Sequence, residues 1–287
     1  MIKRILRAGM GVIFFFVFLL FLLVMAFKFR LLKPEFWKTA LDKGEVYKQM
    51  QSQIEGSLSQ SRGSVKKQGG TAGMSKEMIR LLYIDKELTA GRFKELVETN
   101  VDRLLGYVNG ESRDLFLYLP VKEWNLPVAI LKQPALERLT GRTSVPEIMA
   151  ALGDKSGQVK PIIDGLKQIK DLVGVLTIVW AGLLAVIMGI LAGHYFLGVG
   201  SADRIGGTAW LVMISGFVAK LIGVLAGRIF ELIAVASKPP LPTWGTELGR
   251  SLVGQFFDLG ATIGLGVGVA GLIMVIAAHF FIGKIEG

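Results

Sequence analysis

Residues 10–27 read MGVIFFFVFLLFLLVMAF, eighteen consecutive positions without a charge. As a helix, at 1.5 Å per residue, such a run covers about 27 Å, close to the hydrocarbon thickness of a bilayer. In lipid every backbone N–H and C=O must be satisfied within the protein, so an isolated run of this kind has only the helix open to it. Three further stretches have the same character, at 172–197, 207–236 and 257–282. The expected fold class is an all-α membrane protein with four transmembrane helices. Composition agrees, because 52% of the 287 residues are hydrophobic. That is more than a soluble core needs, and it falls in blocks.

Lys3, Arg4 and Arg7 precede the first run, and Lys28, Phe29 and Arg30 follow it. A cleavable signal peptide has a shorter apolar run and ends on small residues. An uncleaved anchor with a cytoplasmic N-terminus is expected instead. Four spans then return the C-terminus to the cytoplasm of a plasma-membrane protein, with residues 31–171 outside. The net charge of +10 is unevenly spread. Residues 31–171 carry 22 Lys and Arg against 18 Asp and Glu, whereas residues 1–30 hold five basic side chains and no acid. A cluster flanking a span is a topology signal, so no nucleic-acid partner is expected.

The expected organisation has three parts: residues 1–30 (basic N-terminus and first span), 31–171 (a mainly helical extracytoplasmic domain) and 172–287 (a three-helix transmembrane region). Within the domain, Pro34 opens a helix carrying Phe36, Trp37, Leu41, Val46, Tyr47 and Met50 at helical spacing. Residues 56–75, rich in Gly and Ser, read as a flexible loop. Thr89 is a natural N-cap for a helix reaching Val108, closed by Gly110. Residues 114–121 alternate and suggest a short strand. The KPPLP run at 238–242 reads as a stiff loop between spans, or as a ligand for a polyproline-reading domain.

Two segments echo one another. IMGILAGHYFLG at 187–198 aligns without gaps on LIMVIAAHFFIG at 272–283, placing the chain's two histidines, His194 and His279, at equivalent positions. Duplication of a two-helix unit would explain this. Two imidazoles at one depth could ligate a haem b iron or another metal. The plainer reading is a pair of interfacial histidines among belt aromatics.

The third run holds charges. At about 100° per residue, Gly216, Lys220, Gly223, Gly227 and Glu231 share one stripe, with Arg228 at its edge. An intramembrane Lys is costly unless paired or hydrated, and Glu231 and Asp258 are candidate partners. These four, Lys220, Arg228, Glu231 and Asp258, could line an ion or proton path. The alternative leaves only Lys220 buried and the rest at the interface. Gly223, Gly227, Gly260, Gly264 and Gly268 have the spacing that lets membrane helices pack closely.

There are no cysteines. That excludes disulfides, thiol catalysis and Cys-ligated metal. P-loop, GxSxG and HExxH motifs are also missing, and a non-enzymatic protein is expected. The anchor, followed by KPEFWKTALDKGEVYKQM, ELTAGRFKELVETNVDRLLGYVNG and DLFLYLPVKEW, resembles uncharacterised bacterial integral membrane proteins. Those have an N-terminal anchor, an extracytoplasmic helical domain and further C-terminal spans. The likeness covers mainly residues 10–125. It implies a bacterial envelope and this architecture, and it brings no catalytic or binding residue. Three functions follow, in order: an envelope protein that binds a protein partner or senses; a channel or transporter, forming a homo-oligomer around Lys220; and a bis-histidine haem b protein.

Overall fold

The computed structural model describes residues 2–67, 89–120, 142–152, 156–236 and 243–282. In chain order the elements are α1 (Ile2–Ala26), a π-helical turn (Phe27–Leu31), α2 (Pro34–Lys43), α3 (Val46–Lys67), α4 (Ala90–Val108), β1 (Phe116–Leu117), β2 (Thr143–Ser144), α5 (Val145–Leu152), α6 (Ser156–Phe196), α7 (Ser201–Ala236), α8 (Thr243–Ala277) and a closing π turn (Ala278–Ile282). Four helices are long and apolar enough to cross a bilayer, in the spans Ile2–Leu31, Ile163–Phe196, Ser201–Ala234 and Trp244–Phe280. The chain is an all-α membrane protein. It divides into two compact units, residues 1–32 with 174–287, and residues 33–173.

In the membrane unit, α1 is central. Phe14, Phe18, Phe21 and Leu22 are its buried stripe, at the i, i+4, i+7, i+8 spacing of one helix face. Trp180, Leu183 and Ile187 of α6, Leu211 and Ala219 of α7, and Ile263 and Val267 of α8 belong to the same cluster. Apolar side chains outside this core, such as Ile13, Phe16, Ile178 and Leu232, face out of the chain. In a soluble protein they would be a liability; in lipid they cost nothing.

In the other unit, α2 begins with Pro34 at its first position and buries Phe36 and Ala40. Thr89 caps α4, its hydroxyl accepting from Arg92 N–H at 3.3 Å. Gly110, at φ +80°, ends that helix, and the Gly106 carbonyl accepts from the Glu111 and Ser112 N–H groups. Asn100 holds the chain after α4: its side chain donates to the Tyr118 carbonyl at 2.8 Å and accepts from the Tyr118 N–H at 2.7 Å. At α5 the Ser144 hydroxyl donates to Glu147 at 2.9 Å, while Glu147 accepts from the Ser144 N–H at 2.7 Å. The Glu147 N–H donates back to the Ser144 hydroxyl at 3.4 Å, which makes the cap reciprocal. Ser144 also draws the Glu147 carboxyl below its ordinary value, the backbone bond first and the hydroxyl second.

Several boundaries differ from the sequence expectations. Residues 56–67 are not a loop: α3 continues through them. Gly and Ser cost a helix at most about 1 kcal/mol each relative to Ala. That is too little to stop a helix anchored by buried Val46 and Tyr47. Residues 68–75 lie outside the described residues, as does the 238–242 run. The strand expected at 114–121 shrinks to Phe116–Leu117, paired antiparallel with Thr143–Ser144, and Val121 falls outside the description. The helices that carry the last three spans begin at Ser156, Ser201 and Thr243, ahead of the apolar runs at 172, 207 and 257. Hydropathy marks where a helix meets lipid, and helical hydrogen bonding continues through polar flanks beyond it.

Candidate functional site

Polar groups of the membrane unit gather at two levels. The first lies where α7 begins. Arg7 of α1 donates from Nη1 to the Asp203 carboxylate at 2.6 Å and from Nη2 to the Asp203 carbonyl at 2.7 Å. The same carboxylate accepts from the Val199 N–H at 2.9 Å. Gly207 makes room for this, because a Cβ there would collide with the Arg7 guanidinium. Arg204 closes the α6–α7 turn, its Nε donating to the Gly198 carbonyl at 3.0 Å. An acid in the first turn of α7 also faces the positive end of that helix. The Arg7 side chain is 16% exposed, half-sunk in protein. Sequence reasoning took Arg7 for a topology signal and missed Asp203. Their 196-residue separation hides the pair.

The two histidines flank this corner. His194 is buried, and its Nδ1 lies 3.1 Å from the Thr208 hydroxyl. His279 is exposed and lines a cleft of about 680 Å³ with Gly206, Trp210, Val275, Ala278 and Phe280. Gly206 and Trp210 sit about 160° around α7 from Thr208. The two imidazoles therefore lie against different faces of α7. Among the described residues, no three His, Asp or Glu side chains converge as a metal centre would need.

The second level concerns the expected polar path. Lys220 lies roughly midway along α7 and is half-buried. Glu231 is not its partner: Arg250 Nε reaches the Glu231 carboxylate at 3.1 Å. Both of those side chains are about half exposed, as an interfacial pair would be. Arg228 and Asp258 are exposed. Among the described residues, Lys220 and Asp258 make no ion pair or hydrogen bond. The four residues expected to line a path are not joined within one chain.

The expected packing glycines divide. A Cβ on Gly223 would lie 2.6 Å from the Ala261 Cβ and 3.1 Å from the Phe257 carbonyl oxygen. One on Gly264 would lie 2.8 Å from the Gly216 oxygen, and one on Gly268 would press on Phe217 at 3.2 Å. These three, with Gly216 and Gly271, lock α7 to α8. Gly227 and Gly260 do not take part. Nothing lies within 4 Å of a Cβ at Gly227. Gly260 touches only Leu22, at 4.0 Å, and lines an apolar cavity of about 210 Å³ with Leu22, Leu23, Ala219, Gly223 and Phe257. GxxxG spacing identifies a stripe but not how far along the stripe the partner stays close.

In the 33–173 unit, ionisable groups link helices. Lys38 of α2 meets Asp102 of α4 at 2.6 Å. Lys94 of α4 meets Asp42 of α2 at 2.7 Å and Glu98 at 3.6 Å. Tyr47 of α3 donates to Glu98 at 3.3 Å, and Tyr118 donates to Glu95 at 2.6 Å. Burial, then the Glu98 and Asp42 charges, hold the Tyr47 phenol well above its ordinary value. The hydrogen bond to Asp42 raises Lys94. No protein-family model matches this chain, and no curated protein or solved structure does so either.

Proposed function

We propose that this chain is a non-enzymatic protein of the cell membrane that works by binding a protein partner through its 33–173 unit. The observation that carries this reading is the use that unit makes of its charges. Lys38 with Asp102 and Lys94 with Asp42 tie α2 to α4, and Glu98 ties α4 to Tyr47 of α3. Groups committed to holding helices in place serve a stable docking surface better than they serve proton transfer. In this reading both termini are cytoplasmic and the unit lies outside, as Lys3, Arg4 and Arg7 favour.

Photo-crosslinking in whole cells tests it. Probes at the exposed positions Glu35, Thr39 and Arg113 should yield a protein adduct of one reproducible mass. Silence at all three, with the probes still reached by water-soluble reagents, defeats the reading. The chain has no cysteine, so Thr39→Cys also reports orientation: labelling by an impermeant maleimide from outside is expected. A second reading, transport, is favoured by Lys220 alone, which has no partner among the described residues and stands about 25 Å along α7 from Asp203. Flux through liposomes carrying the purified chain, lost in Lys220→Met, would support it. Flux that is absent or indifferent to that change would exclude it.

A further inference from the structure

The α7–α8 pair has two broad faces. One packs on α1 through Leu211, Val212 and Ala219 of α7 and Ile263 and Val267 of α8. Going around α7 at about 100° per residue, Phe217, Lys220 and Val224 centre about 150° away from that contact. On α8, Asp258 and Leu265 are almost diametrically opposite it. Phe217, Val224 and Leu265 are 39%, 52% and 41% exposed. This second face is uncovered; Arg228 lies on it near the Glu231 level, and deeper along the pair it holds one cation, Lys220, and one anion, Asp258.

Neither charge has an easy route to water. The Glu231–Arg250 pair marks the polar boundary at this end of the unit. From that level Lys220 is about 16 Å along α7, and Asp258 about 12 Å along α8. The four-carbon stem of Lys cannot cover such a distance by snorkelling. A charge left in hydrocarbon costs at least about 2.5 kcal/mol. The two sit at nearly one depth. Gly223 abuts the Phe257 carbonyl, which puts Asp258 level with residue 223, only about 5 Å along the pair from Lys220.

We propose that a second copy of this chain covers this face, with the Lys220 ammonium of each copy paired to the Asp258 carboxylate of the other. A two-fold contact must be self-complementary, and a surface that carries both members of an ion pair meets that condition. An axis along the membrane normal sets equal depths opposite each other, and the 5 Å offset is within reach of the Lys stem. Two bridges then form per dimer, out of reach of water.

The test uses the full chain in native membranes. Because the chain has no cysteine, Leu265→Cys reports this face alone, and Ile178→Cys on α6, 73% exposed, serves as control. Oxidation should give a covalent dimer from Leu265→Cys and little from Ile178→Cys. Lys220→Asp or Asp258→Lys alone should cut that dimer by roughly tenfold, since like charges then face each other. Co-expressing the two variants under different tags should restore it, because both bridges re-form only between unlike chains. If either reversal fails to accumulate, Lys220→Met and Asp258→Asn should still lower the yield. No dimer at all, equal dimer from both cysteine positions, indifference to the charges, or no restoration on co-expression would each overturn the proposal. The first outcome would leave lipid, or a different protein, on this face.

Discussion

Helix α6 and the α7–α8 pair are built from the same kind of sequence and behave differently. The membrane stretch of α6 is the more apolar, yet only 6% of it is buried inside the chain, against 22% and 28% for α7 and α8. Apolarity decides that a helix enters lipid, and it gives no reason to leave lipid for a neighbour. What joins α7 to α8 is close backbone approach at Gly216, Gly223, Gly264, Gly268 and Gly271. On α6, nothing lies within 4 Å of a Cβ at Gly174, Gly182 or Gly189. That helix is held by side chains instead. Trp180 stacks on Phe21 at 6.1 Å between centroids and takes Lys28 on its face at 5.3 Å.

This contrast can be broken or sharpened by measurement. The largest effect is expected from Gly216→Val, whose Cβ would run into the Gly268 and Gly264 backbones. It should cost about 2–3 kcal/mol in reversible unfolding in detergent. Gly227→Val, on the same helix with open space beside it, should stay within about 0.5 kcal/mol. Equal losses would show that glycine register is not what pairs these helices. Next comes Trp180→Ala, at about 2 kcal/mol, with α6 moving away from α1 as read by spin-label distances. An unchanged distance would mean that other contacts fix α6.

Arg7→Met should cost about 1–2 kcal/mol, and Arg7→Lys should recover only part, because the two-pronged contact with Asp203 needs a guanidinium. A silent Arg7→Met would reduce Arg7 to its topological role. The smallest effect belongs to the other unit. Tyr47 and Lys94 both have raised values in the folded chain. Their contribution is therefore complete below the ordinary phenol value of 10.0 and fades as pH rises through the folded ones. Stability of the α2–α4 packing should fall at alkaline pH, with a shallower slope in Tyr47→Phe. An unaltered slope would remove Tyr47 from the account.

The spans were legible because lipid imposes one rule on every residue in them. The α4 cap at Thr89 was legible because capping is local, decided within four positions. The Arg7–Asp203 and Glu231–Arg250 pairs were not, since each depends on which helices become neighbours. Arg7 looks the same in sequence whether it meets lipid headgroups or a carboxylate across the fold. The glycines fall between these cases. Gly223, Gly264 and Gly268 were recognisable as packing positions. Gly260 belongs to the same stripe, but it opens onto the cavity beside Leu22. The helical course of residues 56–67 was hidden by reading composition where anchoring by Val46 and Tyr47 decides.

The central position of α1 bears on how the membrane unit is made. Its partners, Trp180, Leu211, Ala219, Ile263 and Val267, all come after the whole 33–173 unit in the chain. During synthesis α1 must wait in the bilayer as a lone helix, its Phe14, Phe18 and Phe21 stripe solvated by lipid, until the later spans arrive. An uncharged run can wait there without penalty. The later helices then find part of their packing surface already in place, while α7 and α8 supply the rest to each other.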